Sequence, residues 1–372
     1  MNKELNVLFL TNVPSPYRVL FFNELGKYCN LTVLYQRYQS SERDQKWVSS
    51  TTGNYTIKVL KGVKTGVDNA FCPSVLHFLN RKFDAIIICG ISSPTEMLAI
   101  EYCRIMKIPY CIEGDGAFVG KGNRFKDQIK KHFIKGGELF FSTCKNHDAY
   151  YQKYGANENN IYRYNFTSVV EKDILKKTLT KKEKNEIRIR LGIKESFVVL
   201  AVGQFIPRKG FDVLLEAMRE EKNLGVYIVG GKPTEQYSRY VSNNEMTNVH
   251  FVEFLDKEHL SDYYKMADVF VHPTREDIWG LVVNEALSKG LPVITTTRCN
   301  AGLELIRNGY NGFLIPPDNP DQLKQAIINA INSNAVLSIN SLDCVRNYTI
   351  EKMAEQHISI LLGNTTNTNK ND

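Results

Sequence analysis

The stretch FVVLAVGQFIPRKGFDVLLEAM, residues 197–218, decides how the second half of the chain folds. Its continuous apolar run at Phe197–Val202 is typical of a strand that is buried on both faces, and the run ends in a turn that contains glycine. Apolar residues then recur at helical spacing over 211–220, which predicts a helix. A buried strand that leads through a short loop into a helix is the repeating unit of parallel α/β sheets.

The first half opens with a second version of this plan. LNVLFLTNVPSPYRVLFFNEL, residues 5–25, joins a buried strand to a helix through a loop with proline and arginine. Further strands are predicted at 31–35, 85–89, 110–113, 139–142, 226–229, 250–252, 269–272 and 293–296, and helices at 17–28, 95–106 and 322–330. The sequence therefore predicts an α/β protein with two Rossmann-like doubly wound domains, whose ligand sites face each other across a cleft.

The predicted domain boundaries follow the composition of the chain. Residues 1–175 form the first domain and residues 176–350 the second, and the lysine-rich segment 171–194 is interpreted as a linker with an entry helix. A helix at 351–362 could cross back to the first domain. The polar tail 363–372 is predicted to be disordered.

Charge is distributed unevenly over the 372 residues, whose formal net charge is +7. Residues 1–200 contain 31 lysines and arginines against 19 acidic residues, or +12, and the remainder contains 16 against 21, or −5. The basic half favours an anionic partner, such as a lipid surface, a nucleic acid or a phosphorylated acceptor. Because aromatic residues are not interleaved with its lysines, nucleic acid is not predicted as a partner.

Several classes of protein are excluded by composition and spacing. No apolar run reaches the roughly 18 residues that a membrane span needs. The N-terminal segment carries Glu4 and only a strand-length apolar run, so a signal peptide is not expected. The eight cysteines lack any Cys-x-x-Cys pair and are expected to be reduced, buried thiols of a cytosolic protein. The seven histidines form no cluster with them, so no metal site is predicted.

A second stretch, VHPTREDIWGLVVNEALSKG at residues 271–290, is the main candidate for a site. It sets two carboxylates, Asp277 and Glu285, on either side of the first turn of a predicted helix. Gly280 would let a ligand approach the free backbone N–H groups of that turn, which attract phosphate. Alternatively, Asp277 only caps the helix and Glu285 is a solvated helix residue.

Two cations follow the strand at 197–202. Arg208 and Lys209 occupy a strand-to-helix turn, where they could neutralise a diphosphate without a metal ion. The alternative is a solvated turn, since charge runs usually face water. Gly230 and Gly231 follow the next strand and offer another close approach to the backbone, which is weak evidence by itself.

Taken in order, strand-GxxxxRKG, strand-GGK, strand-HPTREDxWGxxxNEA and GLPV at 290–293 resemble the donor half of the retaining glycosyltransferases of family 4. These group 1 glycosyltransferases include bacterial envelope-polysaccharide enzymes. The resemblance is strong over residues 195–335 and extends over the rest. It implies the GT-B fold and transfer of a sugar, with retention, from a nucleoside-diphosphate donor, UDP being favoured. The implied acceptor is a lipid-linked or polysaccharide hydroxyl in cell-envelope or capsule biosynthesis, and neither cofactor nor metal is implied.

The resemblance also implies roles for single residues. Glu285 would hold the ribose hydroxyls, Asp277 the transferred sugar, and Lys209 with Arg208 the departing diphosphate. The chain departs from the family where Asp277 replaces the usual Glu and where Gln204 replaces a common Arg. The donor-binding residues expected on this basis are Gly203, Gln204, Gly230, Gly231, Phe254, Ile278, Trp279, Gly280 and Leu281. The indole of Trp279 is expected in the core rather than stacked on a base.

The first half resembles the acceptor domain of the family less closely. Pro16, Arg18 and Glu113 are acceptor-side candidates, and Arg18 could reach an anionic acceptor or the donor phosphate. The alternative is a surface arginine in the first turn of a helix. Asp115 stands where the family often has a histidine and is the candidate general base. Alternatively, its Gly-Asp-Gly tripeptide only turns the chain.

The basic segment KGNRFKDQIKKHFIKGG, residues 121–137, places Phe125, Ile129 and Phe133 on one side of a predicted helix. Such a helix could lie on an anionic bilayer, which predicts a cytoplasmic protein with peripheral attachment to the inner face of the cell membrane. The alternative is that the apolar side packs on its own sheet while the lysines point into water.

Two other functions stay open. A sugar-nucleotide epimerase on the same scaffold would change the donor's sugar without an acceptor. A non-catalytic partner subunit of a transferase would bind the donor without turnover. A dinucleotide-dependent oxidoreductase is disfavoured because Gly-x-Gly-x-x-Gly follows neither opening strand. The sequence predicts no particular oligomeric state.

Overall fold

A computed structural model describes residues 5–38, 53–120 and 122–363 of the chain. The chain divides into two compact units. Unit 1 combines Met1–Ser168 with Tyr348–Asp372, and unit 2 is Val169–Asn347. The first segment of unit 1 thus ends at Ser168, whereas the predicted boundary is 175. The C-terminal helix forms a second segment of the same unit.

Unit 1 contains one parallel sheet and a small hairpin. Its strands are β1 (Asn6–Thr11), β2 (Asn30–Tyr35), β3 (Thr56–Val59), β4 (Val63–Lys64), β5 (Ala70–Phe71), β6 (Ala85–Cys89), β7 (Cys111–Glu113), β8 (Leu139–Ser142) and β9 (Ile161–Arg163). Its first helices are α1 (Pro16–Leu25), α2 (Pro94–Ile105), α3 (Arg124–Ile134) and α4 (Lys145–Lys153). The strand order of the sheet is β3-β2-β1-β6-β7-β8-β9, and β4 pairs with β5. The carboxyl ends of β1 and β7 therefore lie at the same edge of the sheet.

Unit 2 contains a six-stranded parallel sheet of order β12-β11-β10-β13-β14-β15. Its strands are β10 (Phe197–Val202), β11 (Leu224–Val229), β12 (Val249–Val252), β13 (Val269–His272), β14 (Val293–Thr296) and β15 (Gly312–Ile315). Its helices are α5 (Lys181–Leu191), α6 (Phe211–Met218), α7 (Glu235–Asn243), α8 (Lys257–Met266), α9 (Leu281–Ser288), α10 (Asn300–Leu305), α11 (Pro320–Asn332) and α12 (Asn334–Val345). This is the doubly wound order, in which the chain reverses direction between β10 and β13, so a crevice is expected beyond the carboxyl ends of these two strands.

The core of unit 2 explains why the stretch 197–218 folds as predicted. Alternate residues of β10, such as Val199 and Ala201, are fully buried beside Leu214 of α6 and Ile327 of α11. A strand covered on both faces must be apolar at nearly every position, as this one is. Its carboxyl end therefore emerges from a rigid, packed support.

The lysine-rich segment before β10 is an integral part of unit 2. Thr180 and Glu183 form a capping box at the start of α5. Arg188 of α5 donates to the carbonyl of Met266 and to Oδ2 of Asp268, at 2.9 and 2.7 Å. Lys184 donates to the carbonyl of Ala267 at 2.7 Å. The predicted entry helix is thus fixed to the sheet by buried, paired charges rather than by an apolar stripe.

The C-terminal helix α13 (Ile350–Leu361) packs on unit 1. His357, fully buried, stacks on Phe141 with a centroid distance of 4.7 Å and lies 4.6 Å from the ring of Phe21. The side chain of Gln356 accepts a hydrogen bond from the backbone N–H of Asn165 at 2.7 Å. The core of unit 1 therefore includes residues that follow all of unit 2 in the chain.

Candidate functional site

Asp277 is the centre of a charged cluster in unit 2, at the carboxyl ends of β10 and β13. Its Oδ2 atom lies 2.7 Å from Nζ of Lys209 and 3.1 Å from Nε2 of His272, and Nη1 of Arg208 is 3.8 Å away. Asp277 is only 9% exposed. Burial alone would raise the pKa of Asp277, but the hydrogen bond from His272 and the charge of Lys209 hold it far below its usual range. The carboxylate is therefore charged at any physiological pH.

The two cations are positioned by contacts between the loops after β10 and β13. The backbone carbonyl of Arg208 accepts from the N–H of Arg275 at 2.8 Å and from the hydroxyl of Thr274 at 2.9 Å. Nη1 of Arg208 donates to the carbonyl of Glu276 at 2.8 Å. The Arg208 side chain is 48% exposed and that of Lys209 is 13% exposed. Lys209 is therefore held inside the cluster, while Arg208 stands at its solvent side.

A glycine forms the turn that leads into α9. Gly280 has a φ of +104°, and a Cβ at this position would lie 2.7 Å from Sγ of Cys299. The preceding backbone is tied down, since the Asn300 side chain donates to the carbonyl of Ile278 and the N–H of Ala301 donates to that of Trp279, at 2.8 and 2.9 Å. The N–H groups that begin a helix attract anions, so the rigid turn at 278–281 can face a phosphate.

Trp279, included among the donor-binding candidates, lies in the core. It is 2% exposed, and its indole N–H donates to Asn284 at 2.8 Å. The ring is thus unavailable for stacking on a base, while its backbone belongs to the turn. Ile278 is 46% exposed, Phe254 is 40% exposed, and Leu281 is half-buried.

Glu285 projects from α9 and is half-buried. Its Oε2 atom accepts a hydrogen bond from the hydroxyl of Tyr264 on α8 at 3.0 Å. Burial, and then the charge of Glu285, raise the pKa of Tyr264 well above its ordinary value, so this hydroxyl keeps its proton. Both Tyr264 and His272 support an acid of the candidate pair, and neither was singled out from the sequence. A tyrosine in a helix and a histidine at a strand end are indistinguishable from core residues by pattern alone.

Glycines follow the next strands at the same edge of the sheet. Gly203 directly follows β10, and its N–H donates to the carbonyl of Val229 at 2.9 Å. A Cβ on Gly230 would lie 1.8 Å from the carbonyl oxygen of Gly203, so no other residue fits there without movement. Gly231 is half-buried with open space around it, and Gln204 is exposed. The three glycines leave this edge of the sheet free of side chains at their positions.

In unit 1 the acceptor-side candidates form a second buried network. Arg18 is 3% exposed and bonds Glu113 with Nη1 and Oδ1 of Asp115 with Nη2, the latter at 2.6 Å. The hydroxyl of Tyr17 donates to Asp115 at 2.6 Å, and that of Tyr164 donates to Glu113 at 3.1 Å. The alternative of a surface arginine is therefore wrong. A guanidinium that is buried between two carboxylates orients them, and it is poorly placed to meet a ligand phosphate directly.

The electrostatics of this network follow from its charges. Burial alone would raise the pKa of Glu113, but the charge of Arg18 and the nearby His357 lower it to about 2. Nε2 of His357 lies 3.5 Å from Oε2 of Glu113. The side chain of Asp115 is 35% exposed, so this carboxylate is the part of the network that solvent can reach. Pro16 is the first residue of α1 and is half-buried, which suits the first turn of a helix.

His147 is a further histidine of unit 1 whose burial the sequence does not reveal. The sequence pattern of α4 favours a surface position for both His147 and Asp148, but the histidine is buried. His147 is 2% exposed and stacks on Tyr151 with a centroid distance of 4.3 Å. Burial lowers the pKa of His147 to about 3, so the ring is neutral. A single His on a polar helix gives no sign that it faces the sheet.

The basic helix α3 buries only part of its apolar side. Ile134 is fully buried and Phe133 is half-buried, whereas Phe125 is 73% exposed. Asn123 caps the helix by accepting from the N–H of Phe125 at 2.9 Å. The alternative in which this whole apolar side packs on the sheet therefore fails at Phe125, in the first turn.

Residues 5–38, 53–120 and 122–363 contain neither a membrane-spanning helix nor a metal-binding cluster. No helix there is long and apolar enough to cross a membrane. No group of three or more His, Cys, Asp or Glu side chains in the same part of the chain is arranged to hold a metal ion. The eight cysteines form no disulfide in the described part of the chain, and six of them are buried.

A family model for the group 1 glycosyl transferases matches residues 183–349, which include Lys209, Asp277 and Glu285. Unit 2 is a group 1 glycosyltransferase domain. This confirms the resemblance of the motifs in this part of the sequence to the group 1 glycosyltransferases. The matched residues run from α5 to the end of this glycosyltransferase domain, so the buried lysine and arginine of α5 belong to it as well.

The chain also resembles curated proteins that are named glycosyltransferases. The chain is 28% identical over 156 residues to the uncharacterized glycosyltransferase MJ1178 of Methanocaldococcus jannaschii, covering 41% of this chain and 44% of that protein. It is 29% identical over 154 residues to the lipopolysaccharide glucosyltransferase WaaG of Escherichia coli, covering 40% and 41%. The chain spans about half the length of the curated relatives that it matches.

Solved structures resemble the chain over nearly its whole length. Anabaena Alr3699/HepE in complex with UDP aligns with a TM-score of 0.78 at 15% identity, covering 96% of this chain and 100% of that one. The same protein in complex with UDP-glucose aligns with a TM-score of 0.74, also at 15% identity, covering 97% and 100%. The predicted fold class, GT-B with two Rossmann-like domains, is confirmed. The glycosyltransferase domain is the second of the two.

Proposed function

We propose that the chain transfers a sugar from a nucleoside-diphosphate sugar, with UDP favoured, to a hydroxyl of a lipid-linked or polysaccharide acceptor, and that the anomeric configuration is retained. The observation that carries this proposal is the Lys209–Asp277 pair at the start of α9. One ion pair there combines a cation for the diphosphate with an anion for sugar hydroxyls. The family match and the similarity to HepE, which was solved in complex with UDP and with UDP-glucose, support the same donor class.

The donor would lie along the carboxyl edge of the unit 2 sheet. Lys209 and Arg208, with the backbone N–H groups at 278–281, would hold the diphosphate. Glu285 would accept hydrogen bonds from the ribose hydroxyls, and Asp277 would accept from the transferred sugar. Two cations and a helix start can neutralise a diphosphate by themselves, so we propose a metal-independent reaction that needs no cofactor.

The transfer step requires charge stabilisation and positioning. The bond between the anomeric carbon and the diphosphate oxygen breaks, and a bond from that carbon to the acceptor oxygen forms on the same face. The acceptor's proton passes to an oxygen of the departing diphosphate. Lys209 stabilises the negative charge that develops on this leaving group, in a cluster where its side chain is 13% exposed and electrostatic interactions are weakly screened.

Unit 1 would supply the acceptor side. Asp115 is the partly exposed end of the Arg18 network, and its two oxygens are held by Arg18 and Tyr17 at 2.6 Å each. A carboxylate fixed in this way can orient an acceptor hydroxyl by accepting its hydrogen bond. Glu113 and Arg18 would act through Asp115. An envelope glycan acceptor at a membrane surface fits the exposed, basic α3.

The test begins with donor binding. Thermal unfolding would be measured with UDP, GDP, UDP-glucose, UDP-N-acetylglucosamine and GDP-mannose, because a ligand that binds only the native state raises its stability. A bound sugar nucleotide would then be incubated with the protein alone and with lipid-linked and polysaccharide acceptors. Glu285→Ala and Lys209→Ala are expected to abolish transfer and to leave the fold intact.

Three results would contradict the proposal. A changed sugar in the donor without any acceptor would identify an epimerase. Donor binding without turnover on any acceptor would identify a non-catalytic partner subunit. Wild-type transfer rates from the Lys209→Ala variant would remove the role of that cation. His250→Leu, which removes an imidazole paired with Glu195 at 2.7 Å in the same unit, is the control for loss of a carboxylate-paired side chain away from the cluster.

A further inference from the structure

His272 contacts the candidate donor site without being reachable by a ligand. It is the last residue of β13, it is 0% exposed, and its carbonyl accepts from the hydroxyl of Thr295 at 2.9 Å. Its Nε2 atom lies 3.1 Å from Oδ2 of Asp277. A Cβ at Gly280 would be 3.7 Å from the same Nε2 atom, so the ring fills the space under the first turn of α9.

The chemistry of the pair defines the protonation of the ring. A charged carboxylate only accepts hydrogen bonds, so Nε2 must carry the proton that points to Asp277. Burial, followed by the charge of Lys209, lowers the pKa of His272, so the ring is neutral at physiological pH. Nδ1 then has a bare lone pair, and among the described residues it finds no hydrogen-bond donor. An unsatisfied buried nitrogen is costly, so the hydrogen bond through Nε2 is the polar contact that offsets the burial of this ring.

The other contacts of Asp277 show what His272 adds. Lys209, His272 and, at a longer distance, Arg208 all approach the same oxygen, Oδ2. In the proposed reaction, Lys209 and Arg208 also serve the diphosphate, so their hold on Asp277 weakens when the donor binds. His272 cannot contact the diphosphate, because it is fully buried. Its hydrogen bond can therefore keep Asp277 in place while the cations turn to the diphosphate.

We propose that His272 is a positioning residue, which fixes Asp277 through its Nε2–H group and so sets the affinity for the sugar part of the donor rather than for the nucleotide. The inference rests on the proposed function, because it takes Asp277 as the group that meets the transferred sugar. It predicts that the loss of His272 affects a sugar nucleotide and the bare nucleotide differently. A merely structural histidine would affect both alike.

Three substitutions separate these roles. Gln places its amide nitrogen near the position of Nε2, Asn places its own near Nδ1, and Leu offers no donor. By calorimetry, His272→Gln should keep the wild-type ratio of affinities for UDP-glucose and UDP, or for GDP-mannose and GDP if the wild type prefers guanine. His272→Asn and His272→Leu should lose about tenfold or more for the sugar nucleotide, the value of a hydrogen bond to a charged group, and less than about twofold for the nucleotide.

Controls keep the inference separable from the proposed function. His250→Leu removes a carboxylate-paired imidazole from β12, with two strands between it and β13, and should change neither affinity. If the wild type binds none of these ligands, the proposed function fails. Crystal structures then still test the geometry, since Asp277 should shift in His272→Leu and stay in place in His272→Gln.

Several outcomes would overturn the inference. These are an unchanged preference for the sugar nucleotide in His272→Leu, equal losses for nucleotide and sugar nucleotide, rescue by Asn instead of Gln, or an unmoved Asp277 in the crystal structure of His272→Leu. Should the Leu variant fail to fold, the comparison of Gln with Asn decides alone, because both are polar and each places its amide at one ring nitrogen.

Discussion

The hydroxyl of Tyr264 donates to Oε2 of Glu285 at 3.0 Å, so a buried residue of α8 orients an acid of α9. Tyr264 is 2% exposed and cannot meet a ligand itself. Its effect on the site has to pass through Glu285. In the proposed function Glu285 holds the ribose, which links this hydrogen bond to the affinity for every nucleotide that the protein binds.

Tyr264→Phe should therefore weaken UDP binding by roughly three- to tenfold, because Glu285 keeps its charge but loses the hydrogen bond that orients it. Calorimetry with UDP measures the change. The matched control is Tyr227→Phe, which removes a hydroxyl that donates to Glu195 at 2.9 Å elsewhere in unit 2. Equal affinities for wild type and Tyr264→Phe would show that Glu285 either needs no support or does not contact the nucleotide.

Gly280→Ala should destabilise unit 2 by about 1–3 kcal/mol or more, because the position has a positive φ and the new Cβ would lie 2.7 Å from Sγ of Cys299. The expected result is a drop of several degrees in the thermal unfolding midpoint of this unit. Gly309→Ala is the control, since Gly309 has a φ of +72° with no atom near its added Cβ. Equal losses in the two variants would mean that the contact with Cys299 relaxes at no cost.

Glu113 should make unit 1 sensitive to acid. Its pKa is lowered to about 2 in the folded protein, so the carboxylate stabilises the fold above its ordinary pKa near 4.5, and this contribution is lost as the pH falls from there towards 2. The contribution is on the order of a few kcal/mol. Chemical denaturation of wild type and Glu113→Gln at several pH values measures it as a difference, which should shrink as the pH falls through this window. A difference that stays constant would argue against the lowered pKa.

The exposed face of α3 should bind anionic vesicles. Co-sedimentation with vesicles of phosphatidylglycerol and phosphatidylcholine should exceed that with phosphatidylcholine alone, and it should decrease with salt. Phe125→Ser and the double variant Lys126→Glu/Lys131→Glu should each reduce binding. The control Lys181→Glu/Lys182→Glu makes the same charge change on exposed residues of α5. Equal binding to both kinds of vesicle, or equal losses in both double variants, would exclude attachment through α3.

Sequence patterns predicted the sheets better than the contacts between polar residues. Each predicted strand is present within two residues of its expected bounds, because buried parallel strands are continuous apolar runs. Five strands, β3, β4, β5, β9 and β15, were not predicted. β3 is an edge strand whose pattern is mostly exposed, and β15 begins with Gly312. Neither carries the apolar run that marks the central strands.

The site was predictable where the chain places groups close in sequence or at the ends of strands. The proximity of Lys209 to Asp277 follows from the adjacent positions of β10 and β13 in the sheet. The support of Asp277 by His272 and of Glu285 by Tyr264 depends on side-chain directions that a pattern does not contain. For Arg18, the loop suggested a ligand, whereas Glu113 at the end of β7 and Asp115 just after it take up its charge.

The placement of α13 has a consequence for biosynthesis. Unit 2 is one continuous piece of chain, so it can fold as soon as it leaves the ribosome. Unit 1 begins earlier but must wait for His357, which packs between Phe21 and Phe141 only after all of unit 2 has been translated. The unit that is synthesised first is thus the last to be completed, and until then Glu113, Phe21 and Phe141 lack their contacts with His357.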